Sequence, residues 1–222
     1  MNEEIRKIIR DTMGEEMKKE IVRIIEESIS VKTEMIQQNN VRLGYNVVDE
    51  IEKAIRLITY CMNKGGKLLL FGNGGSAADC QHIAAEFVNK FKRIRKALPA
   101  IALTTDTSIL TSISNDFDYR NVFSRQVDAL GNEGDVALGI STSGQSYNVS
   151  LGLCAAKHKN LKTIVLTGEK IGEMLEYSDI KIMVSSIETP RIQECHIMIG
   201  HIICEIVEKE FININGDSQN AR

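Results

Sequence analysis

Apolar residues recur every three to four positions along the first part of the chain. Ile5, Ile8, Ile9, Met13 and Met17 follow this rhythm, and it predicts helix through roughly residues 1–60. Gly14 weakens the first helix. A second helical stretch is expected from about Val31 to Cys61, carried by Val47, Val48, Ile51, Ile55, Leu57 and Ile58 and ended by "NKGG". The pattern then changes. "KLLLF" (67–71), "PAIAL" (99–103), "DVALGI" (135–140), "KTIVL" (162–166) and "IKIMV" (180–184) are short, near-continuous apolar runs separated by helical stretches. Strands buried on both faces read this way. The expected fold is therefore α/β: a three-layer α/β/α sandwich around a five-stranded parallel sheet, with helices added at the N-terminus. A last helix is expected from Pro190 through "RIQECHIMIGHIICEIVEKEF", followed by a polar, frayed tail.

Each apolar run ends in small polar residues, and open α/β sheets bind ligands at those strand ends. Composition narrows the ligand. The 222 residues carry a formal net charge of −3, with 43% hydrophobic and 26% charged residues and no tryptophan. There is no basic surplus for nucleic acid. The charged N-terminus predicts no signal peptide, and no apolar run matches a membrane span, so a cytoplasmic protein is expected. Cys61, Cys80, Cys154, Cys195 and Cys204 are scattered and read as small buried thiols.

Two loops and two helices can carry chemistry. In "FGNGGS", Gly72, Gly74 and Gly75 allow tight backbone geometry, and Ser76 is placed to cap the following helix. No Gly-Lys-Ser/Thr follows, so this is not a P-loop. "STSGQS" sets the hydroxyls of Ser141, Thr142, Ser143 and Ser146 around Gly144, ahead of another helix. Hydroxyls and free amides make a neutral phosphate cradle, and this is the stronger phosphate site of the two. On the helix expected over 76–91, Asp79, His82, Glu86 and Lys90 share a face, with Ala77, Ala78, Ala84 and Ala85 on other faces for close packing. His82 and Glu86, four apart, suit one zinc or similar ion; a solvated face would use the same pair. His201, in the apolar run of the last helix, reads as a satisfied core histidine or as their complement. The helical wheel selects Glu194, seven positions earlier, over Gln193 as its partner. His196 points elsewhere and reads as structural, and His158 as a solvated helix end. A phosphate cradle, a candidate metal pair and a general acid or base (Glu86 or His201) fit aldose–ketose isomerisation through an enediolate.

Several motifs in order carry a resemblance: "GNGGSAADCQHIAAE", "LPAIALTTDTS", "NDFDYRNVFSRQVDALGNEGDV", "GISTSGQSYNV", "VLTG" and "PRIQECHIMIGHIICEIVE". Over about residues 33–211 the chain resembles the sugar isomerase (SIS) domain family, and within it the phosphoheptose isomerases. That resemblance implies a division into a helical extension (1–32), an SIS domain (33–211) and a polar tail (212–222). It implies conversion of D-sedoheptulose 7-phosphate to D-glycero-D-manno-heptose 7-phosphate, feeding activated-heptose synthesis. It also implies a homotetramer with active sites between subunits. The implied zinc ligands are His82, Glu86, Gln193 and His201, with Gln193 overriding the wheel's choice. Glu86 and His201 become the acid–base pair. Ser141, Thr142, Ser143 and Ser146 hold the phosphate, and Asn73, Gly74, Ser76, Asp79, Asp106, Thr189 and Gln193 contact or orient the sugar. The chain departs from the family pattern at Lys90, where arginine is usual, and in its N-terminal extension, which reads as an oligomerisation helix or a solvated arm. A non-catalytic SIS adaptor of the replication-initiator-binding type, a sugar-phosphate sensor, and an isomerase of another sugar phosphate are the competing expectations.

Overall fold

In the computed structural model, residues 3–37 and 46–216 are described, with side chains from Gly14 onward. Five parallel strands form one sheet: β1 (Leu68–Gly72), β2 (Ala100–Ala102), β3 (Val136–Ser141), β4 (Lys162–Thr167) and β5 (Ile180–Met183), in the order β2-β1-β3-β4-β5. Every residue of β1 and β3 is buried, which is why the sequence shows continuous apolar runs instead of alternation. Leu68 aligns with Ala100 on one side and Val136 on the other. The chain leaves β1 toward one edge and β3 toward the other, so the strand order reverses between them. The crevice beyond their carboxyl ends is where this architecture binds ligands.

Helices cover both faces of the sheet. On one face α2 (Val47–Asn63), α3 (Gly75–Val88) and α7 (Thr189–Asn215) pack on Leu68, Leu70, Leu138 and Ile164. On the other, α4 (Thr107–Asp116), α5 (Ser124–Leu130) and α6 (Tyr147–His158) enclose Leu69, Phe71, Ala137 and Val165. The helix α1 (Glu3–Ile36) lies outside this sandwich against α7: Arg191 donates to the Ile24 carbonyl at 2.7 Å and Ser28 to Glu194 at 2.5 Å. Among the described residues, no helix is long and apolar enough to cross a membrane.

The expected sandwich and all five strands are present, but helix limits differ. α1 runs through Gly14 without interruption and continues to Ile36. The second helix starts at Val47, not Val31, because Asn46 accepts a hydrogen bond from the Val48 amide and caps it there. The helix after the glycine loop ends at Val88, so Lys90 lies beyond it and is exposed. Of the four alanines expected to bring that helix close to its neighbours, only Ala84 is buried. Gly200 lies at a close approach instead: a Cβ there would fall 2.7 Å from Ile83 Cδ1, so α3 and α7 meet where a larger residue would have to displace the Ile83 side chain. The end of the polar tail, residues 217–222, lies outside the described residues.

Candidate active site

The loop after β1 turns through Gly74, whose φ of 56° and ψ of −123° suit glycine alone, and α3 opens directly from it. Ser76 does not cap this helix. It is buried within the first turn, and Gly74 occupies the cap position with no side-chain bond. Asn73 faces α6, where it and Asn148 exchange two amide hydrogen bonds of 2.9 Å, and the Tyr119 hydroxyl donates to Asn73 Oδ1 at 3.1 Å. Asn148 and Tyr119 do not stand out in the sequence. The position of Asn148, two residues past Ser146 and inside the helix that follows "STSGQS", is the available signal.

The loop after β3 places its hydroxyls together. Ser141 Oγ lies 2.8 Å from Ser146 Oγ and 3.4 Å from Ser143 Oγ. Ser146 occupies the N-cap of α6 but makes no capping bond, so its hydroxyl faces the loop and not the helix amides. The helix start therefore offers both free N–H groups and gathered hydroxyls. Gly144 closes the loop at φ +68°, and a Cβ there would stand 2.7 Å from the Lys170 carbonyl. Thr142 fixes the loop from behind through its carbonyl, which accepts from the Gly168 amide at 3.2 Å.

A second cluster lies between α3 and α7. His82 Nε2 is 3.0 Å from His201 Nε2 and 3.4 Å from Glu86 Oε1. The Phe91 ring covers His201, with centroids 5.6 Å apart. Zinc with nitrogen ligands at about 2.0–2.1 Å holds them about 3.3 Å apart in a tetrahedron, close to the 3.0 Å between the two imidazole nitrogens. Among the described residues no three His, Cys, Asp or Glu side chains already surround a common point. The single chain thus holds a partly gathered donor set.

Gln193 is not part of that cluster. It lies against the start of α3, where a Cβ on Gly75 would fall 2.4 Å from its Nε2. Eight residues, about 12 Å of helix rise, separate it from His201. The wheel's preference for Glu194 fails for a different reason. Glu194 faces α1, paired with Arg191 at 2.8 Å and Lys32 at 3.7 Å. Asp79, on the first turns of α3, has a buried Oδ2 with no hydrogen-bond partner among the described residues, and burial raises its carboxyl above the ordinary value. Asp106 caps α4 by accepting from the Ile109 amide at 2.9 Å. Thr189 is exposed in the first turn of α7.

The remaining histidines are as the sequence suggested, and so are four of the five thiols; Cys154 is only partly buried, with its Sγ 3.8 Å from His158 Nδ1. His158 is exposed at the end of α6. Cys61, Cys80, Cys195 and Cys204 are buried and free, and burial pushes Cys61 up to about 11, so these thiols are not nucleophiles. His196 is fully buried, and burial lowers its pKa from 6.5 to about 4. Between those values the unfolded chain binds a proton that the folded chain refuses, so stability falls as pH drops from 6.5 toward 4. The loss is about 3 kcal/mol by pH 4 for a shift of this size. Chemical denaturation at pH 7 and pH 5 is expected to show a smaller acid loss for His196→Leu than for the natural chain.

Known proteins resemble this chain in sequence and in fold. The sequence pattern of the SIS domain family matches residues 19–168. A phosphoheptose isomerase of Clostridium acetobutylicum is 50% identical over 194 residues, covering 87% of this chain and 96% of that protein. The structure of a phosphoheptose isomerase from Neisseria gonorrhoeae superposes with a TM-score of 0.78 at 39% identity, over 87% of this chain and 99% of that one. One from Francisella tularensis gives 0.80 at 34% identity, over 87% and 98%.

Proposed function

This chain belongs to the SIS domain family and to its phosphoheptose isomerases, and from that membership we propose that it interconverts D-sedoheptulose 7-phosphate and D-glycero-D-manno-heptose 7-phosphate. The observation that carries the reading is the pairing of a hydroxyl-and-amide cradle after β3 with the His82–Glu86–His201 cluster between α3 and α7. The cradle binds a phosphate dianion without an arginine, through Ser141, Ser143, Ser146 and the amides opening α6. Asn73, held by Asn148 and Tyr119, presents the loop after β1 to the sugar hydroxyls.

The chemistry moves one hydrogen between neighbouring carbons. A base removes a proton from C1 of the ketose, and the C–H electron pair becomes the C1=C2 bond of an enediolate. Return of a proton to C2, with the O1 proton given up and one taken on at O2, gives the aldose. Glu86 and His201 divide the proton transfers at carbon and oxygen. Zinc bound by His82, Glu86, Gln193 and His201 would supply a Lewis acid polarising the two oxygens.

We propose further that the working site lies between copies of the chain in a homotetramer. α3 and α7 both run away from the strand ends, so Glu86 lies about 16 Å of helix rise from Gly75, and His201 about 12 Å from Gln193. A second copy would bring its cradle and Gln193 to the His82–Glu86–His201 cluster of the first. Two features support this: His82 is 48% exposed in the single chain, and α1 carries Met17, Ile21, Ile25 and Ile29 in an exposed row four residues apart. The charged substrate is retained by membranes, and we place the enzyme in the cytoplasm with it.

Conversion of sedoheptulose 7-phosphate followed by NMR tests the activity. Subunit mixing tests the shared site. Glu86→Gln and Gln193→Ala, each impaired alone, are expected to regain turnover when unfolded together and refolded into mixed tetramers, because some sites then carry neither change. Mixed tetramers no more active than the sum of their parents would place the whole site within one chain.

A further inference from the structure

The C-terminal end of α3 is held by a buried ion pair. Arg95 and Glu208 have side chains only 1% and 2% exposed, and Arg95 Nε lies 3.2 Å from Glu208 Oε1. Each partner also grips backbone. Arg95 donates to the Glu86 carbonyl at 2.8 Å, the Phe87 carbonyl at 2.8 Å and the Lys96 carbonyl at 3.1 Å. Glu208 accepts from the amides of Phe91, Lys92 and Arg93 at 2.9, 2.8 and 2.9 Å. The pair therefore satisfies the open carbonyls at the end of α3 and the amides of the segment that follows it.

Both halves of this clamp lead to the acid–base cluster. The Arg95 guanidinium fixes the backbone of Glu86 itself. Glu208 fixes Phe91, whose ring covers His201. Glu208 also lies seven residues beyond His201 on α7, two turns along the same helix face. The two residues carrying the proton transfer sit on different helices, and this clamp ties the end of one helix to the other. A buried charge pair is a weak source of stability compared with apolar residues of the same volume, so its presence here calls for another role. We propose that Arg95 and Glu208 are positioning residues that set the geometry of Glu86 and His201 without touching the substrate.

The inference rests on Glu86 and His201 being the proton-transfer pair, and its test separates the two claims. Arg95→Lys keeps the charge but cannot bridge two helix carbonyls and Glu208 at once. Glu208→Gln keeps the shape and one acceptor oxygen, and serves if Arg95→Lys does not fold. In either variant kcat is expected to fall about 10- to 100-fold, the cost of small misplacement at a reacting centre. KM and inhibition by inorganic phosphate stay near the natural values, because the cradle lies on β3 and α6. On metal-stripped protein, the His201 ring signals in 1H–15N spectra shift with the moved Phe91 ring, while those of exposed His158 do not. A lowered melting temperature with kcat and His201 signals unchanged would reduce the pair to a structural staple and overturn the proposal. Parallel losses in kcat and phosphate binding with His201 signals unmoved would also overturn it. If the natural chain does not turn over sedoheptulose 7-phosphate, the functional reading fails, and the His201 signals alone then decide the positioning role.

Discussion

Glu86→Gln is expected to lower kcat on sedoheptulose 7-phosphate by about 10²- to 10⁴-fold, the range that a placed acid–base group supplies. Glutamine has the volume of glutamate and retains an oxygen toward His82, which stands 3.4 Å from Glu86 Oε1. What it loses is the capacity to take a proton from carbon. The fold has little reason to change, since Glu86 is only partly buried and its main chain is held independently by Arg95. Steady-state kinetics, with metal content and oligomeric mass measured on the same samples, check this. A variant that keeps its metal and its assembly and still turns over at the natural rate would remove Glu86 from the chemistry.

Ser141→Ala and Ser146→Ala are expected to act on the other kinetic constant. A hydrogen bond to a charged group is worth about 1.5–3 kcal/mol, so each change raises KM by about 10- to 100-fold. The two hydroxyls lie 2.8 Å apart, and each is the other's partner when no ligand is bound. Phosphate replaces that mutual bond with charge-assisted ones, so the loss appears on binding more than in the empty protein. Because the cradle holds substrate and transition state alike, kcat changes little. The inhibition constant of inorganic phosphate, measured beside KM, is expected to rise by a similar factor.

Much of the fold was legible because its strands are buried on both faces. Short, continuous apolar runs between helical stretches match parallel strands and little else. Each of the five strands ends within a residue or two of its expected position. The gathering of hydroxyls after β3 was legible in part: Ser141, Ser143 and Ser146 come together around Gly144, whereas Thr142 enters the loop's bonding through its carbonyl. What failed was whatever depended on neighbours. Ser76 looked like a cap, but the turn through Gly74 puts the cap two residues earlier. The helix expected to run to 91 stops at Val88, where Glu208, more than a hundred residues away in sequence, captures the amides of the next turn. A helical wheel treats its helix as isolated, so it could not register that α1 claims Glu194. It reports angle and not rise, and rise is what separates Gln193 from His201. The Asn73–Asn148 pair joins two strand-end loops that meet only once the sheet has formed.

A phosphoheptose isomerase must move a proton between two carbons of a phosphorylated heptose. Conversion of sedoheptulose 7-phosphate in deuterated water, followed by NMR with the zinc-supplemented natural protein and Glu86→Gln side by side, tests this. The expected result is an aldose product carrying solvent deuterium at C2, formed by the natural protein and lost in the variant. A folded, metal-restored assembly that forms no aldose and exchanges no C–H hydrogen would contradict it.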